Sequence, residues 1–146
     1  MDSVTTETEI RAGQSGDALT PERLLEMISD EQADSALCRR LADLARGQAR
    51  GVLMRLSREE RRHARTAAAM YYILTGKQPG SCAAPAPACA ALRRELRLRY
   101  DAELRAAQTY ETLAGAAGSF GDVFLQLSQD ERGHAAAILA LLQGGR

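Results

Sequence analysis

The chain has 146 residues, and its 19 Lys and Arg balance 19 Asp and Glu, leaving no basic excess to attract nucleic acid or an anionic membrane surface. That length fits one domain with enough chain to bury a real core. Three cysteines are too few for a disulfide framework, no apolar run approaches about 18 residues, and no basic patch leads an apolar stretch at the N-terminus, so the expectation is a cytoplasmic protein without a membrane span.

Ala, Leu, Arg and Glu abound while aromatics make up 4% of the chain, which leans all-α. Residues 1–19 are polar and without period, and read as a flexible tail ahead of a folded unit over 20–143. Thr20-Pro21 starts a first helix, with Thr as N-cap and Pro at the first helical position. Its inward positions run Leu24, Met27/Ile28, Glu31, Asp34/Ser35, Cys38, Leu41/Ala42 and Ala45, with Gly47 near its end. A second helix covers about 48–75, with Val52, Leu56, Glu60, His63, Ala67, Met70 and Leu74 inward and Gly76 as C-terminal cap.

Residues 76–90 are the one low-complexity stretch, and Pro79, Pro85 and Pro87 favour an extended path there. A long helix spans on the order of 40 Å, and a stretch of that many extended residues reaches about 45–50 Å. The segment is therefore expected to cross the length of a bundle rather than to turn tightly. A third helix covers roughly 90–116, with Leu92, Leu96, Tyr100, Glu103, Ala107, Tyr110 and Ala114 inward. A break at Gly118-Ser119 precedes a fourth helix over about 120–142, with Phe120, Phe124, Leu127, Glu131, His134, Ile138 and Leu141 inward. Each stripe is apolar except near its middle, which is the pattern of a four-helix bundle with a polar central layer.

The two halves repeat. VLMRLSREERRHA (52–64) aligns with VFLQLSQDERGHA (123–135), and Glu31…Cys38 aligns with Glu103…Tyr110. Both histidines of the chain sit in a Glu-x-x-His, at Glu60/His63 and Glu131/His134. Positions i and i+3 lie about 60° apart on a helix, so each Glu and His share a face. Glu31, Glu60, His63, Glu103, Glu131 and His134 all fall near mid-helix and should meet at one depth. Four carboxylates neutralise two divalent ions, carboxylates can bridge ions about 3.5–4 Å apart, and each imidazole can cap one. Four crowded acids of one sign should also destabilise the metal-free bundle, so that replacing Glu103 or Glu60 is expected to raise its stability.

With the paired Glu-x-x-His, Glu31 seven residues before Cys38, Glu103 seven before Tyr110, and Tyr71-Tyr72-Ile73-Leu74-Thr75-Gly76 after the first pair, residues 21–142 resemble the rubrerythrin-like branch of the ferritin-like superfamily. The resemblance implies two pseudo-symmetric helical hairpins joined by a long crossover. It implies two iron ions bridged by Glu60 and Glu131, with Glu31 and Glu103 as terminal ligands and His63 and His134 on one ion each. It also implies redox chemistry with hydrogen peroxide or dioxygen, as a peroxidase or a ferroxidase, with Tyr110 as the catalytic candidate beside the ligands. Manganese takes the same ligands. The chain lacks the family's Cys-x-x-Cys iron site, so the electron donor is expected to be separate, such as a rubredoxin-like protein. The family's extra carboxylate after the third-helix Glu is Ala106 here, while Asp34 holds the equivalent place after Glu31; of the family's tyrosine pair only Tyr110 is kept, opposite Cys38.

Other readings stand beside this one. The protein can bind or handle iron without turnover, or be a partner-binding bundle that keeps the site as a relic. Glu59 and Asp130 are either solvated helix charges or acceptors for histidine N–H groups across the site. Asp34 is a boundary acid or a ligand; Cys38 is a small core residue; Cys82 and Cys89 fit no zinc spacing. A homodimer is the default assembly.

Overall fold

The computed structural model describes residues 18–80, 88 and 91–144. They form four long helices, α1 (Pro21–Leu44), α2 (Gly47–Thr75), α3 (Leu92–Ala114) and α4 (Gly121–Gly144), with a 3-10 turn at Gly118–Phe120 before the last. Among the described residues there is no strand. The expected tail up to residue 17, most of the expected crossover (81–87 and 89–90), and Cys82 and Cys89 lie outside the described residues.

The helix ends follow local chemistry. Thr20 Oγ1 accepts the Arg23 backbone N–H at 3.1 Å, and Pro21 opens α1 without a donor to waste. Gly76 caps α2 with φ +69°, its N–H donating to Tyr72 O at 2.7 Å. Gly47 differs from expectation: at φ +57° it opens α2 rather than closing α1. Only Ala45 and Arg46 separate the two helices, and the left-handed glycine lets so short a link reverse the chain.

Helix α1 packs along α2, and α3 along α4. Two serines pin the first pair: Ser35 Oγ donates to Ser57 O at 2.7 Å and Ser57 Oγ returns a bond to Ser35 O at 2.8 Å. Small hydroxyls let the backbones approach while satisfying each other in a buried place.

The apolar core is in two parts. One holds Leu24 and Ile28 of α1, Ala67 and Met70 of α2, Tyr110 and Leu113 of α3, and Phe124 and Leu127 of α4. The other holds Cys38 and Leu41 of α1, Leu53 and Leu56 of α2, Leu96 of α3 and Ile138 of α4. Along every helix the six acid and histidine positions fall between the two clusters, so the polar layer has a hydrophobic lid at each end. Burying a Leu, Ile or Phe side chain contributes about 1.5–3 kcal/mol, and these layers offset the cost of the polar one.

The inward stripes match expectation except near helix ends and at Tyr100 in α3, which is half-buried while Arg99 beside it is buried. Leu74 is exposed, because α2 runs a turn beyond its last core residue, Met70. Leu53 rather than Val52, and Leu113 rather than Ala114, are the buried members of their turns.

Candidate metal centre

Glu31 enters from α1, Glu60 and His63 from α2, Glu103 from α3, and Glu131 and His134 from α4, and none is more than 2% exposed. They form two groups. Glu31, Glu60, His63 and Glu131 each offer an atom within 4.8 Å of the others, and so do Glu60, Glu103, Glu131 and His134. Glu60 and Glu131 belong to both groups. The two halves therefore share the two acids of the Glu-x-x-His pairs and differ in one terminal acid and one histidine.

The histidines face the acids through Nδ1. His63 Nδ1 lies 2.8 Å from Glu131, 3.4 Å from Glu60 and 3.6 Å from Glu31. His134 Nδ1 lies 2.9 Å from Glu60, 3.6 Å from Glu103 and 3.7 Å from Glu131. The two rings are nearly parallel, with centroids 5.6 Å apart. Each Nε2 points outward to an acid of the opposite helix: His63 to Asp130 at 2.9 Å and His134 to Glu59 at 2.5 Å. Glu59 and Asp130 are thus acceptors that fix ring orientation and leave Nδ1 free for the cluster.

The terminal acids are each held by one oxygen. The Tyr110 hydroxyl donates to Glu31 Oε1. Burial, with the Glu31 carboxyl close by, pushes the Tyr110 phenol well above its usual range, so it stays a donor. Glu103 Oε1 is held instead by the Arg99 guanidinium, which also donates to Asp34 Oδ1 at 2.8 Å. Asp34 therefore binds Arg99 and belongs to neither four-residue group. Cys38 sits in the second apolar cluster, where burial pushes its thiol pKa upward.

Charge is unevenly distributed. Burial and the neighbouring Glu60 push Glu31 up to about 8, and burial raises Glu131 to about 7. Burial alone would raise Glu103 too, but His134 and Arg99 outweigh it and hold this carboxyl well below the usual range. His63 is opposed by burial yet driven up to about 12 by Glu131, Glu31 and Glu60. His134 is raised in the same way by Glu103, Glu131 and Glu60.

These residues fit a metal. Glu31 Oε2, Glu60 Oε2, Glu103 Oε2, Glu131 Oε1 and His63 Nδ1 are all buried with no hydrogen-bond partner. His63 Nδ1 and Glu131 Oε1 are close, but not aligned to bond. Buried polar atoms left unsatisfied are costly, and here they converge on one place. Hard oxygen donors plus imidazole nitrogen suit a first-row divalent cation. A solvent cleft lined by Arg62, Thr66, Asp122, Gln126 and Asp130 reaches the His63 side of the layer.

All six expected ligands are brought together, and Tyr110 touches one of them. Arg99 was not expected. Its signal was its phase, three residues after Leu96 and four before Glu103, where the sequence reading had placed Tyr100 inward. Comparison with protein-family models, with curated proteins and with solved structures gave no match.

Proposed function

We propose that the chain is a ferritin-like bundle whose central layer holds two metal ions, iron in preference to manganese, and that the loaded centre carries out redox chemistry with hydrogen peroxide or dioxygen. The observation that carries this reading is the convergence of five unpartnered buried donor atoms in two groups sharing Glu60 and Glu131. Four carboxylates would balance two divalent ions, held by Glu31, Glu60, His63 and Glu131 in one group and by Glu60, Glu103, Glu131 and His134 in the other. The topology supports it as well. Helix α2 ends beside the apolar cluster containing Met70, whereas α3 begins beside the one containing Leu96. A connection between them that crosses the length of the bundle is the ferritin-like arrangement.

Bound iron would supply one electron per ion, two in all, for reducing peroxide or dioxygen. The rest is done by the chain. The two apolar lids close the layer at both ends and so strengthen the charge interactions within it, leaving the cleft beside His63 as the side open to solvent. Asp130 and Glu59 hold the imidazoles with Nδ1 inward. Tyr110 keeps its proton and donates a hydrogen bond to Glu31 Oε1, which holds that acid with its other oxygen free for the cluster. A separate electron donor, such as a rubredoxin-like protein, would restore the reduced state for a peroxidase.

Anaerobic ferrous titration of metal-free protein should saturate at two ions per chain. Mixing with peroxide should then oxidise the iron faster than mixing with air. Saturation at one ion, or at none, overturns the paired site. Oxidation at least about tenfold faster with dioxygen moves it to a ferroxidase, and slow single-turnover oxidation with retained iron moves it to iron handling.

A further inference from the structure

We propose that the Arg99–Asp34 pair makes the two halves of the centre unequal, so that the Glu31–His63 half takes its ion first and the Glu103–His134 half holds the weaker, exchangeable one. This inference rests on the dinuclear reading above.

The chain's repeat makes the contrast visible. Four residues before Glu31 stands Met27, buried and apolar; four before Glu103 stands Arg99, buried and cationic. Three residues after Glu31 stands Asp34; three after Glu103 stands Ala106. The terminal acids therefore receive different donors at equivalent oxygens. Glu31 Oε1 receives a neutral phenol from Tyr110, whereas Glu103 Oε1 receives a guanidinium from Arg99.

The Tyr110 phenol is neutral, so a cation at Glu31 Oε2 meets no fixed positive charge from the group holding that acid. A guanidinium draws charge from Glu103 and sets a fixed positive charge next to the place an ion would occupy. At low effective dielectric that repulsion is large, and salt screens it little in a buried layer. Asp34 offsets only part of it: its side chain is 29% exposed, and it binds Nη1 of the guanidinium while Glu103 binds Nη2. Arg99 Nε is buried without a hydrogen-bond partner, so Asp34 and Glu103 are what hold the group in place. Arg99 is thus a positioning residue that acts through Glu103, and Asp34 sets how much of its charge is felt.

The probe is cobalt(II), titrated anaerobically into the metal-free full chain and followed by calorimetry, visible absorption and NMR of the histidine ring protons. The chain has only two histidines, so the order of filling can be read directly, with His63→Gln assigning the signals. In the parent, two binding steps should differ in Kd by roughly tenfold or more, and the His63 signals should shift first. Arg99→Met, which copies Met27, should bring the two steps to within about threefold, mainly by tightening the second. Asp34→Asn should move them the other way, weakening the second step by roughly a further tenfold. Opposite effects of two neighbouring substitutions are not what simple loss of structure produces.

Two ions bound with equal affinity in the parent, or His134 filling first, overturns the inference while leaving the paired site intact. An unchanged separation in Arg99→Met also overturns it. If that variant does not fold, the filling order in the parent and the direction of Asp34→Asn still decide. A single ion bound by parent and variants alike overturns the inference and the paired site together.

Discussion

At the scale of single residues, the central layer is a set of acids with different cationic neighbours, and substitutions should separate them. Glu103 is pinned by Arg99, and replacing it with Gln leaves a buried guanidinium with Asp34 as its only carboxylate. Breaking a buried pair from one side is costly, so metal-free Glu103→Gln should lose about 1–3 kcal/mol in urea unfolding with chelator present. This reverses the expectation drawn from the sequence, where four acids of one sign stood without visible partners. Glu31 behaves differently. Burial already favours its neutral form, and an amide oxygen still accepts from Tyr110. Metal-free Glu31→Gln should be as stable as the parent or up to about 1 kcal/mol more so. A loss equal to that of Glu103→Gln would remove the distinction between the two acids. The orienting acids can be tested apart from stability: Asp130→Asn should weaken metal binding by about 10–100-fold in a competition titration while unfolding changes little. The clustered acids and histidines were legible because Glu-x-x-His puts both side chains on one helix face and occurs twice in matching contexts. Arg99 was not, because an arginine in LRRELRLRYDAELR looks like one more solvated charge.

At the scale of elements, the helices declared themselves through caps and spacing. Thr20-Pro21 and Gly76 act as their chemistry dictates, and the apolar and ligand positions share one stripe per helix. The slips are one-residue shifts: Leu53 and Leu113 near the ends, where the last turn of a stripe has few neighbours to fix its phase, and Arg99 for Tyr100 inside α3. Leu74 was misread because periodicity shows which face is apolar and not where the partner helices stop. Gly47 was misplaced because a glycine between two helices suits either end; only the +57° backbone shows that it opens α2. A test at this scale compares two caps. Thr20→Ala removes a side-chain acceptor and should cost about 1 kcal/mol. Gly76→Ala meets nothing within 4 Å, so any cost comes from its left-handed backbone alone, about 1–2 kcal/mol. Chemical denaturation of both variants measures this. A Gly76→Ala protein as stable as the parent would mean that α2 frays before its cap without consequence.

At the scale of the whole molecule, protons and metal ions compete for one layer, and this sets how stability follows pH. In the metal-free protein Glu31 is raised to about 8, Glu131 to about 7, Asp34 to about 6 and His63 to about 12. Burial is the leading cause for the three acids; for His63 the neighbouring carboxylates overcome it. A group with a raised folded-state pKa binds more protons folded than unfolded, so stability falls as pH rises between its unfolded and folded values. For the acids that window opens near their ordinary pKa of about 4 and closes at the folded values, and for His63 it opens at about 6.5. Between about pH 5 and 8 one or more of these windows is always open, Asp34 closing at about 6 before His63 opens at about 6.5, and all act in one direction. Glu103 acts oppositely, but its depressed pKa matters only below about pH 4.5, where its contribution is lost as the pH falls. The chelated protein should therefore be most stable near pH 5 and lose stability progressively toward pH 8. Metal reverses the trend, because binding requires free carboxylates and an unprotonated Nδ1 and so releases protons. Loaded protein should gain stability over the chelated form by an amount that grows from pH 5 to pH 8. Melting curves across that range, with chelator and with anaerobic ferrous iron, measure both slopes. A chelated protein whose stability rises toward pH 8 would mean that the layer is a satisfied ionic core, needing no metal to balance it.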